Sequence, residues 1–210
     1  PVAAHEVCLT FDDGPSIYTE EILDIFNDKL EIIGQDTRKN VHRKGLLHQV
    51  VHCWAIEDSK DGRFVYMQQR AEFKDFPLLF DITVGGHIDS GENIENAMIR
   101  EIKEEIGLDL KIEDLKYEGT QVRDTSSGDF LDKEICRIFT YTSDKPIKFN
   151  IGVEVKKMVK VREQEFIDVF LNGKEGLNII NLDDNSEEYK TKKDFCNFGR
   201  EYEQIINNIK

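Results

Sequence analysis

Hydrophobic positions along the chain recur with two periods, and each change of period marks a boundary between elements. Residues 20–36 ("EEILDIFNDKLEIIGQD") predict a strand, a turn at Asn27-Asp28 and a second strand ending at Gly34. "HQVVHCWAIED" (48–58) is β-branched and aromatic and predicts a central strand. "DSKDGR" turns the chain into "FVYMQQR" (64–70), which completes a hairpin. One further strand is expected to carry "FPLLFDITVGG" into Gly85-Gly86. The period then lengthens. Asn93 suits the cap of a helix over 94–106, and Gly107 the left-handed position just past its end. Strands are predicted near 115–121, 134–142 and 155–161, with a helix at 163–171. From Asn181 the chain is polar until "KTKKDFCNFGREYEQIINNI", which predicts a final helix interrupted by Gly199. Mixed strands with a few helices predict an α/β or α+β fold, a mixed sheet between helices.

Composition narrows the class. The 210 residues are 39% hydrophobic and 33% charged, which suits a folded core and argues against disorder. A net charge of −14 argues against a general nucleic-acid or anionic-membrane binder, but an anionic substrate stays open because a divalent cation inverts the local field. Cys8, Cys53, Cys136 and Cys196 lie far apart, as individual thiols in a reducing compartment do. No apolar run reaches transmembrane length, so a cytoplasmic protein is expected.

The chemistry concentrates in "GHIDSGENIENAMIREIKEEIGL" (86–108). On a helix, Glu101, Glu104 and Glu105 share one sector beside Met98, Ile102 and Ile106, so the carboxylates border a buried stripe. Like charges grouped this way raise one another's pKa and cost stability unless a cation offsets them, and hard oxygen ligands suit Mg²⁺ or Mn²⁺. Gly85, Gly86 and Gly91 allow the backbone to approach a ligand, and Arg100 is placed to brace a carboxylate. The alternative for "REIKEE" by itself is a solvated acidic helix.

The whole pattern resembles the Nudix box: Gly86, Glu92, Arg100-Glu101-Ile102, Glu104-Glu105 and Gly107-Leu108 match its nine specified positions. "EILDIFNDKLEIIG", "VHRKGLLHQVVHCW" and "QQR…DFPLLFDITVGGH" extend the likeness to the Nudix branch related to isopentenyl diphosphate isomerase. The resemblance implies a Nudix fold and Mg²⁺- or Mn²⁺-dependent hydrolysis of a small-molecule diphosphate linkage. It implies Glu101, Glu104, Glu105 and the Gly86 carbonyl as metal ligands, with Arg100 and Glu92 as braces. Glu134 is an outside candidate for the general base, against an exposed edge-strand residue, and Glu105 or Glu101 could also serve; Arg70 is a candidate phosphate contact, against an ordinary surface ion pair. Gly85 and Gly86 would border the substrate. Where relatives often have Gly-Leu-Trp, this chain has Leu78-Leu79-Phe80, expected to change core packing and not chemistry.

The resemblance also brings alternatives. Isomerases bind metal through histidines and a later acid pair, and His42, His48, His87, Asp132 and Glu134 sit at similar places. Their catalytic cysteine is replaced here by Gly85, and the intact glutamates favour the hydrolase. A non-catalytic nucleotide-binding domain is a further alternative. "TFDDGP" near the start resembles a deacetylase motif, with Asp12 and Asp13 as base and ligand and His48 and His52 at a matching spacing, but 1–19 is too short for such a domain. The expected organisation is an appended segment at 1–19, a Nudix domain at 20–172 and a C-terminal helical extension at 173–210, which is also a possible homodimer contact.

Overall fold

The computed structural model describes residues 20–124, 131–197 and 199–209. In chain order its strands and helices are β1 (Ile22–Phe26), β2 (Ile32–Thr37), α1 (Arg38–Lys44), β3 (Leu47–Ser59), β4 (Gly62–Arg70), β5 (Phe80–Asp81), β6 (Val84–His87) and α2 (Ile94–Ile106). There follow β7 (Leu115–Asp124), β8 (Lys133–Ser143), β9 (Val155–Arg162), α3 (Glu163–Phe170), β10 (Gly176–Asn181), β11 (Glu187–Thr191) and α4 (Arg200–Ile209). All the strands join one mixed sheet, with the principal order β11-β10-β9-β4-β3-β1-β2.

The long strand β3 organises everything else. Along one edge it runs parallel to β8, from Leu47 opposite Lys133 to Glu57 opposite Ser143. Its other edge is shared: Val50–Cys53 pairs with β6, and Ile56–Ser59 pairs with β4. Because successive strand side chains point to opposite faces, β3 feeds two cores. Val51, Cys53 and Ala55 meet Ala97, Met98, Ile102 and Ile106 of α2. Val50, Trp54 and Ile56 meet Phe166 and Val169 of α3 and Tyr202, Ile205 and Ile206 of α4. The expected sheet between helices is therefore present.

The box helix forms for local reasons. The Asn93 side chain accepts the Asn96 amide at 2.8 Å, Ala97, Met98, Ile102 and Ile106 are buried, and Gly107 takes φ +69° as its N–H bonds Lys103 O. A loop then seats on its last turn, with the Asn150 amide donating to Ile106 O at 3.0 Å and the Gly152 amide to Glu105 O at 2.9 Å. These bonds satisfy carbonyls that a helix end otherwise leaves bare.

Four expectations need correction. "FPLLFDITVGG" is not one strand: β5 pairs with β4 and β6 with β3, separated by a crossing between neighbours. The second strand of the first hairpin runs past Gly34 to Thr37. The tail is not simply helical, since β10 pairs with β9 and β11 with β10, extending the sheet before α4. Its strands were hidden because β11, "EEYKT", is an edge strand with no buried face to reveal a period. Leu78 does not enter the core as expected: it is exposed and takes φ +65°, a conformation that disfavours a side chain.

A Cβ on Gly152 would lie 2.1 Å from the Glu104 carbonyl oxygen. Gly152→Ala should therefore lift the loop from the box helix and lower stability by about 3 kcal/mol. Chemical denaturation measures this directly.

Candidate active site

One cavity of about 570 Å³ opens beside β6 and receives side chains from both sides of that strand. Two polar groups meet in it, and consecutive residues of β6 connect them: Gly86 belongs to the first and His87 to the second.

In the first group the glutamates stand at graded depths. Glu105 is buried, its carboxylate accepting from Gln68 Nε2 at 2.8 Å and the Gly85 amide at 3.1 Å. Glu101 lies half-buried, and Glu104 is exposed at the rim with 60% of its side chain accessible. Arg100 ties them together. Its guanidinium donates to both Glu92 oxygens at 3.0 and 2.8 Å, to Glu101 at 2.7 Å, to Glu104 at 3.3 Å and to the His87 carbonyl at 3.1 Å. Gly86 is required by contact, since a Cβ there would sit 2.0 Å from the Glu101 carboxylate carbon. Bare backbone and carboxylate are thus pressed together, an oxygen-rich setting that fits a hard divalent cation.

The glutamates do not converge as tightly as the second group. His42, His48 and His87 bring ring nitrogens within 4.8 Å of one another, as do the donor atoms of His48, Asp132 and Glu134. His42 Nε2 lies 3.2 Å from His87 Nε2, and Asp132 Oδ1 is 3.4 Å from His42 Nδ1. His48 is fully buried, and its Nε2 makes no hydrogen bond among the described residues. Burial pushes the pKa of His48 and His87 down, which keeps them as neutral imidazoles able to bind a cation.

Glu134 joins this second group and not the box. It stands opposite His48 across the parallel β3–β8 ladder and is ion-paired to Arg123 at 2.5 Å. The edge-strand reading is overturned, since β8 has neighbours on both sides and Glu134 is buried. Arg70 lines the cavity, where Asp81 and the Asp75 carbonyl hold its guanidinium. His48 and His52 do not act together as the deacetylase spacing suggested: His52, though it also borders the cavity, donates to the buried Glu201 of α4 at 2.9 Å. Asp12 and Asp13 lie outside the described residues, as do 125–130 between β7 and β8.

Several cavity residues escaped the sequence reading. Arg38, Lys74, Glu154, Cys196 and Asn197 all line it; the first three belong to no motif, and the last two lie in the stretch expected to be helical, which offered no candidate chemistry. Arg38 and Lys74 come from the helix start and loop that face the box, and Cys196 and Asn197 from the C-terminal segment. Only the pairing of β5 with the Phe195 segment, through Phe80, brings that segment over the cavity.

Burial pushes the Glu105 carboxyl up to about 8, with the Glu101 charge adding to it, and burial pushes Glu101 up to about 7 against the pull of Arg100. Between the ordinary value of 4.5 and those values, the unfolded chain has released protons that the fold retains. Stability of the metal-free protein contributed by these groups is complete below that ordinary value and is lost as pH rises toward about 8. Melting temperatures in EDTA should fall across this window, and Glu105→Gln should flatten the decline. Added Mg²⁺ should stabilise most at the alkaline end.

The comparisons with known proteins agree with this architecture. The family model described as "NUDIX domain" matches residues 46–198. An uncharacterized Nudix hydrolase of Clostridium acetobutylicum is 35% identical over 165 residues, covering 73% of this chain and 80% of its own. An isopentenyl-diphosphate Delta-isomerase of Mycolicibacterium vanbaalenii is 26% identical over 131 residues, covering 60% of this chain and 68% of its own. The crystal structure of DR0079 from Deinococcus radiodurans superposes with a TM-score of 0.51 at 24% identity, covering 73% of this chain and 91% of that one. With the box intact in sequence and assembled around Gly86 in space, the chain belongs to the Nudix family.

Proposed function

We propose that this protein hydrolyses a diphosphate linkage in a small molecule, with Mg²⁺ or Mn²⁺ held by Glu101, Glu104, Glu105 and the Gly86 carbonyl. The observation that carries the reading is that all the box carboxylates are retained and Glu101 and Glu104 face the same cavity as Arg70 and Lys74. Carboxylates that attract a divalent cation, opposite cations that attract phosphate, fit a diphosphate lying between them. The bound cation supplies Lewis-acid charge at the phosphate oxygens and acidifies water.

The protein's own groups set the geometry. Arg100 aims Glu101 and Glu104 from one guanidinium, so neither is left to choose among rotamers. Glu105 is anchored by Gln68 and the Gly85 amide at the base of the site. In the reaction, water oxygen bonds to one phosphorus, the bridging P–O bond breaks, and the departing phosphate takes the electron pair. A cavity carboxylate accepts the water proton; Glu134, ion-paired to Arg123, is the one outside the box that the sequence singled out.

A second reading, an isopentenyl diphosphate isomerase, is favoured by the cluster of His42, His48, His87, Asp132 and Glu134, which suits a cation of its own. Against it, Gly85 supplies no thiol, and burial pushes the Cys53 thiol up to about 12. The Cys136 thiol is likewise raised by burial.

Cleavage should be measured as phosphomonoester, pyrophosphate or phosphate product formed from nucleoside diphosphate sugars, dinucleoside polyphosphates, nucleotide cofactors, nucleoside triphosphates and isopentenyl diphosphate. Metal-dependent turnover of one class is expected, reduced about 100-fold by Glu104→Gln. That variant should stay folded, because Glu104 is exposed. A folded, metal-binding protein that cleaves none of them would overturn the hydrolase reading, and conversion of isopentenyl diphosphate without phosphate release would establish the isomerase.

A further inference from the structure

A third polar group lies where β3, β8 and α4 meet. His52 of β3 stands opposite Ile138 of β8, and Cys136 is two positions before Ile138, so both side chains project from the same face of the sheet. The α4 helix covers that face and brings Glu201, in its first turn, against them. All three side chains are buried. One donor atom from each lies within 4.8 Å of the other two.

Glu201 is closely aimed. Its two oxygens stand 3.0 and 2.9 Å from His52 Nδ1, so the carboxylate faces the imidazole evenly, and Trp54 Nε1 donates to Oε1 at 2.8 Å. A buried carboxylate is costly unless positive charge accompanies it. The Arg123 guanidinium acts on Glu201, but it is ion-paired to Glu134.

We propose that His52, Cys136 and Glu201 bind a zinc ion that fastens α4 to the sheet. Imidazole, thiolate and carboxylate are donors that zinc accepts together, whereas the Mg²⁺ or Mn²⁺ suited to the box carboxylates does not favour sulfur. On binding, the Cys136 proton leaves to solvent and the His52–Glu201 hydrogen bond gives way to the ion. Zinc, thiolate and carboxylate then sum to zero charge. With bonds of about 2.0–2.3 Å, tetrahedral ligands stand about 3.5 Å apart, so the thiol closes by little more than about 1 Å. Because both Glu201 oxygens face His52, the carboxylate can supply the fourth bond. The ion has a path from the cavity, which His52 borders next to Gly85, a residue without a side chain. Cys196 and Asn197, just before α4, line that cavity, so the ion would fix part of its wall.

The test is Co²⁺ binding to the whole protein in excess Mg²⁺, read by absorption. The box carboxylates and His42, His48 and His87 hold no sulfur, so only a thiolate ligand gives a sulfur-to-cobalt charge-transfer band in the near ultraviolet. The wild-type protein should show that band, and Zn²⁺ should bleach it by displacing cobalt. Cys136→Ser and Cys136→Ala should each lose it. Cys196→Ser, which alters the half-buried thiol beside Arg70 and Asp81, should keep it. His52→Ala should weaken Co²⁺ binding at this site about 100-fold. Thermal melting checks that each variant folds, and Zn²⁺ should raise the melting temperature of the wild type but not of Cys136→Ser. A wild type without the band, or a band that survives Cys136→Ser, would overturn the zinc site and leave a hydrogen-bonded core pair. Neither result touches the hydrolase reading, which turnover in Mg²⁺ tests separately.

Discussion

Arg100 satisfies a demand that the fold creates for itself. The box helix crowds Glu101, Glu104 and Glu105 beside the buried stripe of Met98, Ile102 and Ile106, and Glu92 approaches from the preceding loop. One guanidinium binds Glu92, Glu101, Glu104 and the carbonyl of His87, so it joins loop, helix and strand at a single point. A planar fork with five donors does this where a lysine ammonium would not. That set of bonds holds the bend before the helix against β6 and places Glu101 and Glu104, while Gln68 and the Gly85 amide place Glu105.

Close backbone approach is the second constraint. Gly86 presses against the Glu101 carboxylate, and Gly152 against the Glu104 carbonyl, both in the C-terminal half of the helix. That half of the helix is therefore closely held by neighbouring backbone. That precision is what an oxygen-ligated site requires, because side chains of long reach specify geometry only when their supports are fixed.

The cavity also contains more than the box. Gly86 and His87 are adjacent on β6, so the strand that delivers the glycine to Glu101 delivers an imidazole to His42 and His48. Carboxylates and histidines with different donor chemistry thereby share one opening, with Arg38, Arg70 and Lys74 across from them. The arrangement has the charge balance of a site for an anion that arrives with a hard cation.

What the sequence by itself determined was local. The box helix, its Asn93 cap and its Gly107 end were legible because capping and a period of 3.6 depend on residues within a few positions of one another. The β3–β4 hairpin was legible for the same reason, and the box residues were readable because their spacing lies within a single loop and helix. Only the tertiary structure decided that Glu134 faces the histidines, that His52 belongs with Glu201, and that Cys196 and Asn197 reach the cavity. Those neighbours are set by strand register and by packing between segments up to 149 positions apart. Register, unlike a helix period, is specified by the partner strand and not by the strand's own residues.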